Sequence, residues 1–150
     1  VARQGDAQML DKLAASGLPV NLRNHKGDTL LMLAAYHGHV DAVQVLLKHQ
    51  ADPEIRNDNG QSPIAGAAFK GDLAVVKALV EGGAQVEGSS FDGRTALMMA
   101  AMFNRTEIVT YLISQGADPK ARDSNGVSAL EAAKTMGAMD TTAQLEKLLA

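Results

Sequence analysis

The side chains with the widest chemical repertoire in this 150-residue chain are four histidines, seven methionines and 17 carboxylates, so their spacing decides what they can do. His37 and His39 stand two apart and are the nearest thing to a metal pair. His39 follows Gly38, a helix-ending glycine, and capping or solvation suits it better than ligation. His25 and His49 have no obvious co-ligands. Met32, Met98, Met99, Met102, Met136 and Met139 read as adaptable core and not as a copper site. The absence of cysteine excludes a thiolate nucleophile, a disulfide framework and thiolate-ligated zinc. There is no Gly-x-Ser-x-Gly elbow and no phosphate-cradling loop. Asp52, Asp58, Asp92, Asp118 and Asp123 fall in turns, where short carboxylates usually serve the backbone. An acid–base pair would need a cleft that shifts its members apart. Neither catalysis nor a bound metal or cofactor is therefore expected.

The remaining chemistry is recognition. Aromatics are scarce: Tyr36, Phe69, Phe91, Phe103 and Tyr111, with no tryptophan. Aromatics and arginine are the types enriched where binding energy concentrates, so what positions them matters.

The positioning elements follow from a period of 33 residues. Gly27, Gly60, Gly93 and Gly126 mark it, each followed two residues later by Thr29, Ser62, Thr95 or Ser128. A hydroxyl there caps a helix start, and Pro63 stands at a first helical position. A second series, Gly5, Gly38, Gly71, Asn104 and Gly137, closes that helix with a left-handed residue, for which Asn is the next choice after Gly. A second helix is predicted to start at Val40, Leu73, Thr106 and Met139, with apolar residues at helical spacing such as Val43, Leu46 and Leu47. Gly83 and Gly116 end it. A third series, Ala51-Asp52-Pro53, Ala84-Gln85-Val86 and Ala117-Asp118-Pro119, with Leu18-Pro19-Val20 as a weaker copy, leads to the next turn. One such helix pair cannot bury its apolar stripe alone, so neighbours must stack. The pattern divides a single domain, 1–150, into a partial unit at 1–23, full units at 24–56, 57–89 and 90–122, and a closing unit at 123–150. Met9, Leu10 and Leu13 fit a second helix in the partial unit. By register its first helix falls before Val1, so a longer native polypeptide is expected. Leu148 and Leu149 fall late against Leu46 and Leu47, and the closing unit is expected to depart from the period.

This pattern resembles the ankyrin repeat family across essentially the whole chain. The resemblance implies an all-α solenoid of stacked helix-turn-helix units joined by hairpin-like loops. It also departs in one respect. The family's motif histidine is replaced by Met32, Ala65, Met98 and Glu131, which implies a less cross-linked row of loops. The family works by binding other proteins on a concave flank made of loop tips and first helices.

Two varying columns would face that flank. One is the loop tips, with Arg23, His25, Lys26, Arg56, Asp58, Asn59, Phe91, Asp92, Arg94, Arg122 and Asn125. The other is the ends of the first helices, with Tyr36, His37, Phe69, Lys70, Met102 and Phe103. Four of the five aromatics fall in them. Tyr36, Phe69, Phe91, Met102 and Phe103 are predicted to form an apolar stripe flanked by Arg56, Lys70 and Arg94. The expected function is a scaffold or adaptor that binds a partner protein. The alternative is an inhibitory or regulatory subunit of one enzyme, antitoxin-like or protective. A net charge of −3 without a Lys/Arg run gives no reason to expect nucleic acid. The longest apolar run, from Leu30 to Tyr36, is too short for a membrane span. A cytoplasmic monomer is expected.

Overall fold

The computed structural model describes residues 7–17 and 19–150. Among them lie the helices α1 (Ala7–Ala15), α2 (Leu30–Tyr36), α3 (Val40–Lys48), α4 (Pro63–Lys70), α5 (Leu73–Glu81), α6 (Ala96–Met102), α7 (Thr106–Ser114), α8 (Ala129–Met136) and α9 (Met139–Leu149). Helices α3, α5, α7 and α9 begin at the residues the spacing predicts. Leu13 lies in α1, while Gly5, Leu18 and the side chains of Met9 and Leu10 fall outside the described residues.

Local chemistry sets the helix starts. Thr29, Ser62, Thr95 and Ser128 have extended backbones, and each side-chain oxygen accepts from the amide three residues on. Gly38, Gly71, Asn104 and Gly137 all adopt positive φ, between 62° and 81°, and end the first helices.

Helices this short are marginal in water by themselves. Their stability comes from stacking into two rows. First helices α2, α4, α6 and α8 form one row, and α1, α3, α5, α7 and α9 form the other. The core between them is built from repeated columns. Leu46, Leu79 and Leu112 are wholly buried. Ala34, Ala67, Ala100 and Ala133 are buried too, and their small side chains let neighbouring first helices approach closely. The closing unit keeps this register, against expectation. Leu145, one period after Leu112, fills the leucine column and is wholly buried, whereas Leu148 is exposed. The late leucines belong to a last turn that runs past the core.

Polar groups stitch the units as well. The Glu54 carboxylate accepts from the Gln85 amide at 2.8 Å, and Glu87 accepts from the Asp118 amide at 3.0 Å. Asn21 accepts in the same way from Asp52, at 2.9 Å.

One position breaks a local rule. Gly17, Gly83 and Gly116 end second helices with φ near 100°, but the equivalent residue after α3 is Gln50, with φ 72°. A side chain there strains the backbone by about 1–2 kcal/mol. Gln50→Gly is expected to stabilise the protein by about 0.5–1 kcal/mol, since glycine's unfolded-state freedom offsets part of the relief. A shift of the urea midpoint to higher concentration checks this.

The first described helix is held partly by charge. Asp11 Oδ1 lies 2.6 Å from His49 Nε2 and 3.7 Å from Lys48 Nζ. The His49 hydrogen bond first, and the Lys48 charge second, hold the Asp11 carboxyl below the usual carboxylate range. A lowered folded pKa means the contribution is complete above the ordinary carboxylate range and lost as pH falls through the folded value. Amide protection in α1 is therefore expected to drop as pH falls below the ordinary carboxylate range. Asp11→Asn should begin low and stay flat. Hydrogen exchange followed by NMR reads both.

Candidate partner-binding surface

The loop tips are held by side chains that fold back on their own turn. Asn57 Oδ1 accepts from the Asn59 and Gln61 amides at 3.0 Å each. Asn24 does the same for Lys26 and Asp28, and Asp123 for Asn125 and Val127. At the third tip Ser90 donates to the Asp92 carboxylate. That hydroxyl keeps the Asp92 carboxyl below its ordinary range against the opposing effect of burial, and the Arg94 amide and charge add to the lowering. The recurring short polar residues at 24, 57, 90 and 123 were the sequence signal for this device.

Adjacent tips also bond to each other. The Asp58 amide donates to the Lys26 carbonyl at 3.0 Å, and the Ser124 amide to the Asp92 carbonyl at 2.9 Å. Asn57 Nδ2 donates to Asp28 Oδ1 at 3.0 Å. The first two tips, and the last two, are thus tied to each other without the motif histidine, by backbone pairing and, at the first two, an amide–carboxylate bond.

Two of the predicted arginines brace the loops. Arg23 donates to the Gly27 carbonyl at 3.1 Å and to the Arg56 carbonyl at 2.6 Å. Arg122 donates to the Gly126 carbonyl at 2.7 Å and to Glu131 at 2.8 Å. Arg94 sits between Asp92 at 3.4 Å and Asp123 at 3.9 Å. His25, Lys26, Asp58 and Asn59 are exposed at the first two tips, and Asn125 at the last.

The predicted apolar stripe divides into clusters. Phe69 and Phe103 meet edge to face, with centroids 4.6 Å apart, at the centre of the first-helix row. Tyr36 shares a groove with Phe69, Met32 and Leu33. Lys70 Nζ lies 4.6 Å from the Tyr36 centroid, and His37 packs edge-on against the same ring. Met102 lines a second groove with Met98 and Met136. Phe91, 68% exposed, lies apart from both. Its ring rests on Gly60, where a Cβ would collide with it, and the Arg56 guanidinium lies 5.6 Å from its centroid. Arg23 lines the same hollow. Met32, Leu33 and Met98 were missed as surface-lining residues because their helical spacing reads as core. Indeed Met32 and Met98 are almost wholly buried, with one edge open to the groove.

The His37 and His39 rings stack 6.4 Å apart. Among the described residues no cluster of three or more histidine or acidic side chains could hold a metal ion. No helix among them is long and apolar enough to cross a membrane.

Comparison with known proteins agrees with this architecture. A family model for ankyrin repeats, in three copies, matches residues 1–90 and 67–145. An ankyrin repeat protein of Pseudomonas aeruginosa is 64% identical over 45 residues, covering 30% of this chain and 26% of that protein. Human ankyrin repeat domain-containing protein 63 is 46% identical over 48 residues, covering 32% of this chain and 13% of its own. Human ankyrin repeat domain-containing protein 29 is 46% identical over 52 residues, covering 34% and 17%. The matches thus span about a quarter or less of each relative. With capped helix pairs stacked on a 33-residue period and a family model matching most of its length, the chain belongs to the ankyrin repeat family.

Proposed function

We propose that the chain is a protein-binding module that receives its partner on the flank formed by loop tips and first-helix ends. Ankyrin repeats generally mediate protein–protein interaction, and this reading applies that role to particular residues. One observation carries it. The framework columns are buried and nearly constant from unit to unit, whereas the columns containing Tyr36, Phe69, Phe91 and Met102 change identity and keep solvent access. Side chains released from packing are free to recognise. In the same reading the protein acts as a cytoplasmic monomer and performs no catalysis.

Site-specific photo-crosslinking in cells tests the proposal. A benzophenone side chain at Phe91 or Met102 is expected to capture a defined partner, while the same group at Lys77 or Thr110, on second helices, captures little. Equal capture from both sides would overturn the assignment of the flank. Recovery of a single enzyme at one-to-one stoichiometry would make the chain that enzyme's regulatory subunit.

A further inference from the structure

Two hollows of the same construction lie along the first-helix row. Met32 floors the first, with Tyr36 as wall and Asn59 at the rim. Met98 floors the second, with Met102 as wall and Asn125 at the rim. Each pair of equivalent residues stands two 33-residue periods apart. Both floors occupy the column where the family motif has histidine. Between them Ala65 stands in that column, and the Phe69 and Phe103 rings meet edge to face.

Their chemistry differs. Lys26 lines the first hollow, and the exposed Lys70 ammonium lies 4.6 Å from the centroid of its Tyr36 wall. Its lining carboxylate, Asp28, accepts from Asn57 Nδ2 at 3.0 Å and leaves two ammoniums against one carboxylate. Around the second hollow Arg94 is paired with Asp92 and Asp123, and the walls are thioether and aliphatic: Met102, Met136, Val127 and Ala132. The first hollow is electropositive with an aromatic wall. The second is apolar and adaptable, as methionine surfaces are.

We infer, resting on the flank assigned above, that the partner presents one continuous segment with two anchors. One is a carboxylate-bearing side chain for the Lys26–Lys70–Tyr36 hollow. The other is a large apolar side chain for the methionine-walled hollow. Packed helices lie about 8–10 Å apart, so the hollows are about 16–20 Å apart. A strand rising about 3.3 Å per residue spans that in about 5–6 residues. A helix rising 1.5 Å per residue needs about 11–13.

The probe is a random 20-residue peptide library displayed on phage and selected on the full chain. Enriched sequences are expected to carry Asp or Glu and a large apolar residue at one of those two separations. A synthetic peptide of the enriched sequence should lose at least tenfold in affinity against Lys26→Glu/Lys70→Glu, and likewise against Met136→Asp, with circular dichroism melts showing both variants folded. Lys26→Arg/Lys70→Arg should keep affinity within about threefold. Enriched peptides without an acidic residue, or no enrichment, would overturn the two-anchor inference. If such peptides still lose affinity against Phe103→Ala or Tyr36→Ala, the flank assignment survives. Peptides indifferent to every one of these variants would sink both.

Discussion

Leu79→Ala is expected to lower the unfolding free energy by about 3–4 kcal/mol, within the range of buried leucine truncations. Leu79 is wholly buried in α5, at the middle of the leucine column that runs from Leu46 through Leu112 to Leu145. Units flank it on both sides, so the surrounding helices cannot collapse into the space without breaking register with their neighbours. The cavity term therefore adds to the lost transfer free energy. Leu145→Ala should cost less, about 2–3 kcal/mol, because α9 has a neighbour on one side only and can relax. Leu79→Met, which preserves volume, should cost under about 1.5 kcal/mol. Urea unfolding of the three variants measures the order. A near-neutral midpoint for Leu79→Ala would show that the column is not the seam of the solenoid. Because nearest-neighbour terms hold such arrays together, a second unfolding transition in Leu79→Ala is also expected, as the halves on either side uncouple.

The features most legible in the sequence were those that depend on a few neighbouring residues. The hydroxyl caps, Pro63 and the glycines at positive φ each solve a local backbone problem, so residue type and spacing reveal them. The starts of α3, α5, α7 and α9 followed from them. What was not legible depends on partners one period away. Glu54 reads as one more surface acid, yet it accepts from the Gln85 amide of the next unit. Arg23 and Arg122 read as free cations for a partner but brace their own loops. Leu145 was overlooked in favour of Leu148 and Leu149, although counting 33 from Leu112 identifies it. The candidate surface was half legible. Variation between units picked out columns that keep solvent access, but only packing separates Phe91 from the Tyr36–Phe69 groove, and only packing opens one edge of the buried Met32 and Met98 to that flank.

Asn104→Ala is expected to cost about 2–3 kcal/mol, far above what an exposed polar residue normally contributes. Two duties meet at this side chain. Its own φ of 62° is the left-handed region where the other units use glycine. Its Oδ1 also accepts from the Asp140 and Thr141 amides, at 2.9 and 3.0 Å, and its Nδ2 donates to the Asp140 carboxylate at 3.0 Å. The residue at the N-cap of α9 is Ala138, which supplies no side-chain cap. Asn104 is therefore the cap of a helix one unit further on, and Thr141, wholly buried, adds a bond from its hydroxyl to the Ala101 carbonyl at 2.6 Å. Alanine removes both acceptor bonds and keeps the strained backbone. Asn104→Gly removes the bonds but relieves the strain, and should cost about 1 kcal/mol. The order wild type, glycine, alanine separates the two duties. If glycine matched or exceeded the wild type in urea unfolding, the backbone conformation alone would explain the residue. Hydrogen exchange should show the loss concentrated in the first turn of α9, since those are the amides Asn104 holds.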